Sequence, residues 1–345
     1  MKQQSPSQFF TTLTDKVKES VAIVMHQSAD PDAVGSAAAL ASLLTLRSKV
    51  KVQMFAESLN RSAKNIADAF NLPLAAPEDL ALHSAIILVD LNNVEQMGVL
   101  APHLPQRDVT TFCIDHHVAH KDLPKLVDFS LCDEEICSTA ELVLQIWEAS
   151  GNAPSADVAT LLACGLVYDS RHFHIATNKT FEHFLSLLRF GADYRRVLNL
   201  LSTPLDKSER IARLKAAKRT VVYDEFGVLI AATTIRSYEA SASRALIGLG
   251  ADIAIACATK KDEVRVSSRC NSAVNRNYGL DLAKDVMEPL GELIGGAGGG
   301  HPSAAGANGT ASSDHALGLA LQLLRKTLKA HRDTSHTTPN SGAVG

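Results

Sequence analysis

The sequence has no apolar run long enough to cross a membrane. Its longest apolar run, residues 158–167, has about half of the roughly 20 residues that a spanning helix needs. The N-terminal segment MKQQSPSQFF is polar and lacks the apolar core of a secretory signal. These absences argue against a membrane protein and against a secreted one. We therefore expect a cytoplasmic protein with no membrane partner.

The sequence also lacks paired cysteines and an excess of positive charge. None of the six cysteines stands in the C-x-x-C spacing of a zinc knuckle or redox site, which favours reduced thiols. The formal net charge is −3, whereas sequence-independent binding of long duplex DNA needs many lysines and arginines on the phosphates. The net charge does not exclude small anionic substrates, because a bound dication supplies local positive charge.

Short apolar strands alternate with helical stretches along the first half of the chain. Apolar segments at residues 21–25, 50–55, 85–89 and 109–114 predict an α/β fold with a doubly wound, mostly parallel sheet. The length of 345 residues exceeds what one core usually serves, so we expect two domains. The predicted division is residues 1–194 for the first domain, 195–222 for a charged helical linker, 223–332 for a smaller α/β domain and 333–345 for a disordered tail.

Acidic and imidazole side chains stand where several predicted strands, and one predicted helix, end. In an open α/β sheet, ligands bind at the carboxyl edge of the strands. Four carboxylates in one cleft would repel one another strongly unless divalent cations neutralise them. Oxygen ligands with one or two imidazoles suit Mn²⁺, and less exclusively Mg²⁺, Co²⁺ or Fe²⁺. The residues concerned are His26, Asp30, Asp32, Asp90, His116 and Asp169.

The spacing H-x-x-x-D-x-D links the first three of these residues. Alternate positions of an extended loop face the same way, so we expect Asp30 and Asp32 to face one site. Taken singly, an aspartate after a strand is more often a helix cap or a turn former, and the metal interpretation depends on the whole set. Two ions about 3.5–4 Å apart would bind a phosphoryl oxygen and activate a water for attack on phosphorus.

A glycine-rich segment, GGAGGGHPSAAGA at residues 295–307, stands out in the second half. It matches neither the P-loop nor the dinucleotide-binding fingerprint, and alone it would be a flexible turn. The arginine of V-S-S-R, Arg269, would alone be an ordinary strand residue. Neither feature assigns a function by itself.

Together these motifs resemble those of the DHH phosphoesterase superfamily. The matching positions are H-QSA-D-P-D-AVGS at 26–36, aspartate at 90, DHH at 115–117 and aspartate at 169. The segments 266–269 and 298–307 resemble the associated DHHA1 substrate-binding domain. The resemblance covers about residues 18–330. The compact arrangement of a DHH domain followed by a DHHA1 domain is similar to that of oligoribonuclease/pAp phosphatases and of stand-alone cyclic-dinucleotide phosphodiesterases.

The resemblance implies two manganese sites. His26 and Asp30 would hold the first ion, and Asp90 would bridge both ions. Mg²⁺ or Co²⁺ would be the alternatives to Mn²⁺. The remaining ligands of the second ion would be Asp32, His116 and Asp169.

The resemblance also implies roles around the metal ions and in the second domain. His117 would face the scissile phosphate as a polarising or proton-donating group, and Asp115 would orient a ligand imidazole. Arg269 and His301 would grip another phosphate of the substrate, or its end, because a guanidinium fork matches phosphate oxygens. Close approach of the backbone would be allowed by Gly298, Gly299 and Gly300.

At two positions the sequence departs from the usual motifs of the family. Asp90 is followed by Leu-Asn-Asn, where a small hydroxyl residue is common, and Asp169 by Ser-Arg-His, where Thr-Gly is frequent. The extra cation, Arg171, would contact substrate phosphate during catalysis or shape the loop. For His172 and His174 we expect solvated or capping roles. These departures bear on substrate choice and not on the class of chemistry.

We therefore expect a hydrolase of phosphate esters that uses water activated by two metal ions. It would remove 5′-mononucleotides from very short single-stranded oligonucleotides, or dephosphorylate pAp-like nucleotides. One alternative is hydrolysis of cyclic di-AMP or pApA, and a weaker one is hydrolysis of pyrophosphate or polyphosphate. An inactive nucleotide-binding regulator is a third alternative, which the complete ligand set disfavours. The sequence leaves open whether the protein forms a homodimer.

Overall fold

The fold is seen in a computed structural model that describes residues 1–47, 50–104, 109–202, 204–260 and 263–335. The chain forms two compact units, Met1–Thr203 and Pro204–Gly345. Each unit has its own sheet and its own hydrophobic core. A chain of this length is expected to need two such cores.

The first unit is built on a sheet of six parallel strands. In chain order these are β1 Lys2–Gln3, β2 Ser20–Val24, β3 Lys51–Phe55, β4 Ala85–Val89, β5 Thr110–Asp115 and β6 Phe129–Cys132. In the sheet they lie in the order β1-β6-β5-β4-β2-β3, with every pair parallel. The unbroken apolar sequence of β4, which is buried throughout, suits a strand covered on both faces.

Helices cover both faces of this sheet. Neighbouring residues of β2 enter different cores, because side chains alternate along a strand: Ile23 packs in the core that contains Trp147, and Val24 in the one that contains Leu80. The predicted doubly wound, mostly parallel α/β fold is confirmed. The helices are α1 Pro6–Lys16, α2 Pro31–Arg47, α3 Arg61–Phe70, α4 Leu123–Leu126, α5 Thr139–Ala149, α6 Ala156–Asp169, α7 Asn178–Arg189 and α8 Tyr194–Leu201, with 3₁₀ helices at Pro77–Leu82 and Glu95–His103.

The second unit has a mixed sheet. Its strands are β7 Val221–Glu225, β8 Val228–Ile235, β9 Ile253–Lys260, β10 Glu263–Cys270, β11 Ala297–His301 and β12 Ala304–Gly309. They lie in the order β11-β12-β10-β9-β8-β7, and only β8 and β9 run parallel among these pairs. The helices are α9 Lys207–Arg219, α10 Glu239–Gly248, α11 Ser272–Tyr278, α12 Glu288–Leu293 and α13 Ser313–Ser335, with a π-helical turn at Leu282–Met287.

The charged helix α9, which the sequence predicted as a linker, is part of the second unit. Its Ala216 is fully buried in a small core with Ala242 of α10. The Ala216 carbonyl accepts a hydrogen bond from Oγ1 of Thr233 at 3.3 Å, and Nε of Arg213 donates to Oγ of Ser241 at 2.7 Å. The polar face that suggested a linker is therefore only the outer side of a packed helix.

The last helix extends into the segment predicted as a tail. Helix α13 ends at Ser335, so residues 333–335 are helical. The rest of the predicted tail, residues 336–345, lies outside the described residues. Among the helices of the described part of the chain, none combines the length and the apolar character that a bilayer span requires.

Candidate metal centre

The carboxyl edge of the parallel sheet brings the first-unit motifs together. Strands β2, β4 and β5 are neighbours in the sheet. His26 and Asp90 follow β2 and β4, and Asp115 ends β5 just before the two histidines of its motif. Parallel strands end at a common edge, which is where ligands of α/β sheets bind. Asp169 reaches the same site as the last residue of α6.

Asp30 caps a helix and does not lie in an extended loop. Helix α2 begins at Pro31, and Oδ1 of Asp30 accepts hydrogen bonds from the backbone N–H groups of Asp32 at 2.8 Å and Ala33 at 3.1 Å. This is the bonding of an N-cap aspartate followed by proline at the first helical position. The extended loop expected around Asp30 and Asp32 is therefore wrong, although both carboxylates belong to metal-type groups that share Asp90.

Asp32 lies in the first turn of α2 and is fully buried. Its carboxylate accepts hydrogen bonds from the backbone N–H groups of Thr139 at 2.6 Å and Ala140 at 2.9 Å. These two groups begin helix α5, whose N-terminal end carries partial positive charge. The N-terminus of a second helix thus fixes the orientation of Asp32.

Asp90 stands between the two imidazoles of the site. Its backbone is left-handed, with φ 59°, and its N–H donates to the carbonyl oxygen of Ile114 at 2.9 Å. Oδ1 of Asp90 accepts from Oγ1 of Thr139 at 2.9 Å. Oδ2 lies 3.8 Å from Nε2 of His26, and Oδ1 lies 3.7 Å from Nε2 of His116. An uncommon backbone conformation in a polar residue often marks a functional site.

Three overlapping groups of side chains have ligand atoms close enough to hold a metal ion. Within each group the ligand atoms all lie within 4.8 Å of one another, and every group contains Asp90. Two of these groups together contain all six predicted ligands, and the third adds His117. The groups are His26, Asp30 and Asp90; Asp32, Asp90, His116 and Asp169; and Asp90, His116 and His117.

The imidazole of His116 supports the fit to a cation. Its Nε2 is buried and has no hydrogen-bond partner among the described residues, although Oδ2 of Asp169 lies 3.1 Å away. On the other side of the ring, Nδ1 lies 3.3 Å from the carbonyl oxygen of Ile136. A ligand histidine is commonly oriented in this way, with one nitrogen held by a carbonyl and the other free for the metal.

The electrostatics of the cluster also fit a bound cation. Burial, and then the charge of Asp90, raise the pKa of Asp32 well above its ordinary value. Burial and the charge of Asp30 raise the pKa of Asp90 to about 7. Burial and Asp169 raise the pKa of Asp30 as well. Ionised carboxylates are therefore costly here, and a dication would remove that cost.

Asp115 is bonded to His117. Its Oδ1 accepts from Nδ1 of His117 at 2.8 Å and from the His117 backbone N–H at 3.1 Å, and its Oδ2 accepts from Nδ2 of Asn92 at 2.6 Å. The hydrogen bond to Asp115 raises the pKa of His117 to about 9, and the ring is half exposed. Asp115 was predicted to orient a ligand imidazole, and the imidazole that it bonds is that of His117, which was predicted to face the phosphate and not to bind metal.

The loop after Asp169 has an uncommon backbone. Arg171, His172 and Phe173 have φ values of 51°, 55° and 67°. Consecutive left-handed residues other than glycine cost about 1 kcal/mol or more each. The ring of Phe173 stacks on Phe181 with the centroids 5.3 Å apart, which anchors the turn.

The polar side chains of this loop are exposed. Arg171 has no ion-pair partner among the described residues. His172 and His174 are exposed too, and neither belongs to a metal-type group in the described part of the chain.

In the second unit, most of the predicted substrate residues line one cavity. Arg269 of β10 and the three glycines of β11 line a cavity of about 510 Å³. The glycine-rich segment is not a flexible turn, because it contains β11 and the first residues of β12, and these two strands pair with each other. His301 ends β11 and is exposed, but it is not among the residues that line this cavity. The glycines are Gly298, Gly299 and Gly300.

The guanidinium of Arg269 has an unmet hydrogen bond. Its Nε is buried without a partner among the described residues. Burial and the nearby charge of Arg244 lower the pKa of Arg269. Two neighbouring guanidiniums with an unused buried donor suit a phosphate, which accepts hydrogen bonds from both.

Three residues that shape these sites were missed by the sequence reasoning. Thr139 bonds to both Asp32 and Asp90, but a threonine that begins a helix carries no special signal. Asn92 supports Asp115, and its only signal was the departure from the usual motif. Arg244 lies in a helix where the sequence shows an isolated arginine.

Comparison with known proteins also divides the chain into an N-terminal and a C-terminal domain. Residues 20–166 match the family model of the DHH family, N-terminal domain, and residues 233–330 match that of the DHHA1 domain. The uncharacterized protein MJ0988 of Methanocaldococcus jannaschii is 33% identical over 294 residues, which cover 84% of this chain and 87% of that protein. A second uncharacterized protein of the same organism, MJ1633, is 24% identical over 302 residues, which cover 85% of this chain and 58% of that protein.

A solved structure shares the fold of both units. The crystal structure of an exopolyphosphatase-related protein from Bacteroides fragilis superposes with a TM-score of 0.67 and 18% sequence identity. The superposition covers 95% of this chain and 97% of the other. At this identity the likeness shows the fold alone.

Proposed function

Because the chain belongs to the DHH family, whose members are phosphoesterases that generally depend on divalent metals, we propose a Mn²⁺-dependent phosphoesterase. Its substrates would be very short oligonucleotides or pAp-like nucleotides. The observation that carries the proposal is that the metal-type groups overlap at Asp90, and that two of them together contain the six predicted ligands. Shared carboxylates of this kind are typical of centres that hydrolyse phosphate esters with two metal ions.

Each ion would have its own ligands besides the shared Asp90. His26 and Asp30 would complete the first site. When bound, the two cations neutralise the buried carboxylates and supply Lewis acidity toward phosphate and water. The mixture of carboxylates with an imidazole in each group suits Mn²⁺, with Mg²⁺ or Co²⁺ as alternatives. The second site would be completed by Asp32, His116 and Asp169.

His117 would deliver a proton to the leaving oxygen. Asp115 holds Nδ1 of His117, which leaves Nε2 of the half-exposed ring available to a substrate. A buried carboxylate that bonds one ring nitrogen fixes both the orientation and the protonation of an imidazole. Arg171, exposed beside Asp169, would balance charge on the phosphate.

Recognition of a nucleotide phosphate would fall to the second unit. Arg269 supports this role through its unpartnered buried Nε, and Arg244 adds a second positive charge. Gly299 has nothing within 4 Å of the position where a Cβ would lie, which leaves room for a ligand beside the strand. A planar guanidinium suits phosphate better than a lysine would.

A substrate panel tests this proposal. The panel consists of pAp, pApA, cyclic di-AMP and an RNA five-mer, each with Mn²⁺. We expect release of phosphate or mononucleotide from pAp, pApA or the five-mer. Chelation should abolish this activity, and Mn²⁺ should restore it best. Turnover of cyclic di-AMP alone would favour the cyclic-dinucleotide alternative, and no turnover with any divalent ion would contradict the proposal.

The variant Asp90→Ala tests the shared carboxylate. Removing Asp90 should lower kcat by roughly 10³-fold or more, because both ions lose a ligand. Asp68→Ala, an exposed aspartate of α3, serves as the matched control and should retain normal activity. A near-normal rate in Asp90→Ala would overturn the two-metal assignment.

A further inference from the structure

A buried carboxylate that belongs to none of the metal-type groups lies in the first turn of α5. Glu141 is 1% exposed. Its Oε2 accepts hydrogen bonds from the backbone N–H of Cys137 at 3.1 Å and from Oγ of Ser138 at 3.2 Å. A buried carboxylate is costly unless it is hydrogen-bonded, so these bonds fix the chain where it enters the helix.

The other oxygen of Glu141 is bonded to helix α7. Nδ1 of His183 lies 2.9 Å from Oε1 of Glu141, and Nδ1 is the donor because a carboxylate can only accept. The second ring nitrogen, Nε2, lies 3.5 Å from Nε2 of Gln145, one turn further along α5. The side chain of His183 is 12% exposed, so water competes little for these contacts. The imidazole therefore fastens α7 to the first turn of α5.

The segment that this carboxylate fixes also supports the candidate metal centre. Residues 136–140, which we call the support segment, lead directly into Glu141. The support segment contacts one imidazole and two carboxylates of the predicted ligand set, over distances of 2.6 to 3.3 Å. Half of the predicted ligands therefore depend on the position of one short segment. These ligands are His116, Asp32 and Asp90.

The support segment also contacts the loop that follows Asp169. Sγ of Cys137 is a weak donor to the carbonyl oxygen of Ile175, at 3.3 Å. The same loop leads into α7, the helix that carries His183. Helix α7 and the loop before it therefore contact the support segment and the first turn of α5 at two points. A displacement of α7 would be transmitted to the metal centre through these contacts.

We propose that Glu141 and His183 are positioning residues of the metal centre. Neither belongs to a metal-type group among the described residues, and they act through the support segment. Their hydrogen bond sets the affinity of the centre for Mn²⁺, because the partners behind a metal ligand fix the direction of its lone pairs. This inference rests on the proposed function only in taking a metal centre, and it requires no particular substrate.

Calorimetric titration of Mn²⁺ into the chelator-treated full chain tests these roles. His183→Phe keeps a planar ring but removes both nitrogens, and His183→Leu removes the ring as well. His183→Asn restores the donor, because the amide nitrogen of asparagine can take the position of Nδ1. The matched control for loss of an imidazole is His315→Leu, at an exposed histidine of α13 in the second unit.

Loss of the donor and loss of the ring should have the same effect on metal binding. His183→Phe and His183→Leu should each bind Mn²⁺ about tenfold more weakly than the wild type, as loss of a partner behind the ligands does. His183→Asn and His315→Leu should bind Mn²⁺ nearly as the wild type does. Urea unfolding of the chelated proteins, followed by Trp147 fluorescence, shows that each variant is folded during the titration. A merely structural role would lower the urea midpoint and leave the Mn²⁺ affinity of the folded chain unchanged.

Two results would overturn the inference: wild-type Mn²⁺ affinity in His183→Phe, or equal weakening in His183→Phe and His183→Asn. If His183→Leu does not fold, the comparison of His183→Phe with His183→Asn still decides. The proposed function can fail separately. A wild-type chain that binds Mn²⁺ but cleaves nothing in the substrate panel would contradict the function and leave this test intact, whereas a wild-type chain that binds no divalent ion would overturn both.

Discussion

At the residue scale, Thr139 is the support that ties two carboxylates of the site together. Its hydroxyl donates to Asp90 and its backbone N–H donates to Asp32. The residue is fully buried, so neither bond competes with water. Such supports commonly set metal affinity, because they fix the direction of the ligand lone pairs.

Replacing this hydroxyl should weaken metal binding. Thr139→Val keeps the shape and the backbone bond to Asp32 but removes the bond to Asp90, so Mn²⁺ affinity should fall roughly 10–100-fold. Isothermal titration calorimetry measures this without relying on activity. Thr139→Ser, which retains a hydroxyl, should bind Mn²⁺ nearly as the wild type does. Normal binding by Thr139→Val would show that the hydroxyl is dispensable.

The pair Asp115–His117 predicts a dependence of stability on pH in the chelated protein. Because the hydrogen bond to Asp115 raises the pKa of His117 to about 9, the stability from this pair is fully present below about pH 6.5 and is lost as pH rises through 9. Asp115→Asn should lower the pKa of His117 in an NMR titration. It should also reduce the loss of stability between pH 6.5 and 9.5.

The matched control for this titration is Asp68→Asn, which removes an exposed carboxylate far along the chain from the motif. It should leave the His117 titration unchanged. An unaltered His117 pKa in Asp115→Asn would mean that the buried carboxylate does not set the charge of the ring.

At the element scale, β11 shows why a strand can consist of glycines. A Cβ at Gly298 would lie 1.7 Å from the carbonyl oxygen of Met287, so the strand could not pack against the π-helical turn. At Gly299 the same atom would meet nothing within 4 Å. Alternate residues of a strand face opposite sides, so one glycine serves packing and its neighbour opens the cavity.

Two single-methyl substitutions should therefore act differently. Gly298→Ala should destabilise the protein by about 2 kcal/mol or more, as overpacking against backbone does. Gly299→Ala should change stability by less than about 0.5 kcal/mol but raise KM, because its methyl occupies the cavity. Urea unfolding and steady-state kinetics separate the two effects. Equal destabilisation by both variants would contradict the assignment of their sides.

At the scale of the whole molecule, the two units have separate cores and can be observed separately. Trp147 is the only tryptophan of the chain and is fully buried in the first unit. Its fluorescence therefore reports on the unit that contains the metal-type groups, whereas circular dichroism reports on both. The predicted cytoplasmic location and homodimer remain predictions at this scale.

Metal removal should destabilise the first unit selectively. Mn²⁺ at 100 times its Kd should add about 2.7 kcal/mol to the stability of the unit that binds it. The thermal transition seen by Trp147 should therefore rise with Mn²⁺ in the wild type and stay unchanged in Asp90→Ala. A rise of equal size in both proteins would place the stabilising metal elsewhere.

Much of the first unit could be read from the sequence because its signals are local. The apolar run of β4 occupies residues 85–89, as predicted, and Asp90 follows it. Strands β1 and β6 escaped prediction because they are only two and four residues long. The cap of α2 at Asp30 escaped prediction, since this residue was assigned as a metal ligand.

The sequence by itself determined which groups form the candidate metal centre and at which edge of the sheet they gather, because strand ends and motif spacing are local properties. Only the tertiary structure decided how those groups are held. Thr139 meets Asp32 across 107 residues of chain, and no local pattern encodes such a bond. The bond from Asn92 to Asp115, across 23 residues, likewise depends on elements that meet only after packing. Long-range hydrogen bonds and cavities are set by the assembled backbone, and the identities of residues that are neighbours in the sequence do not specify them.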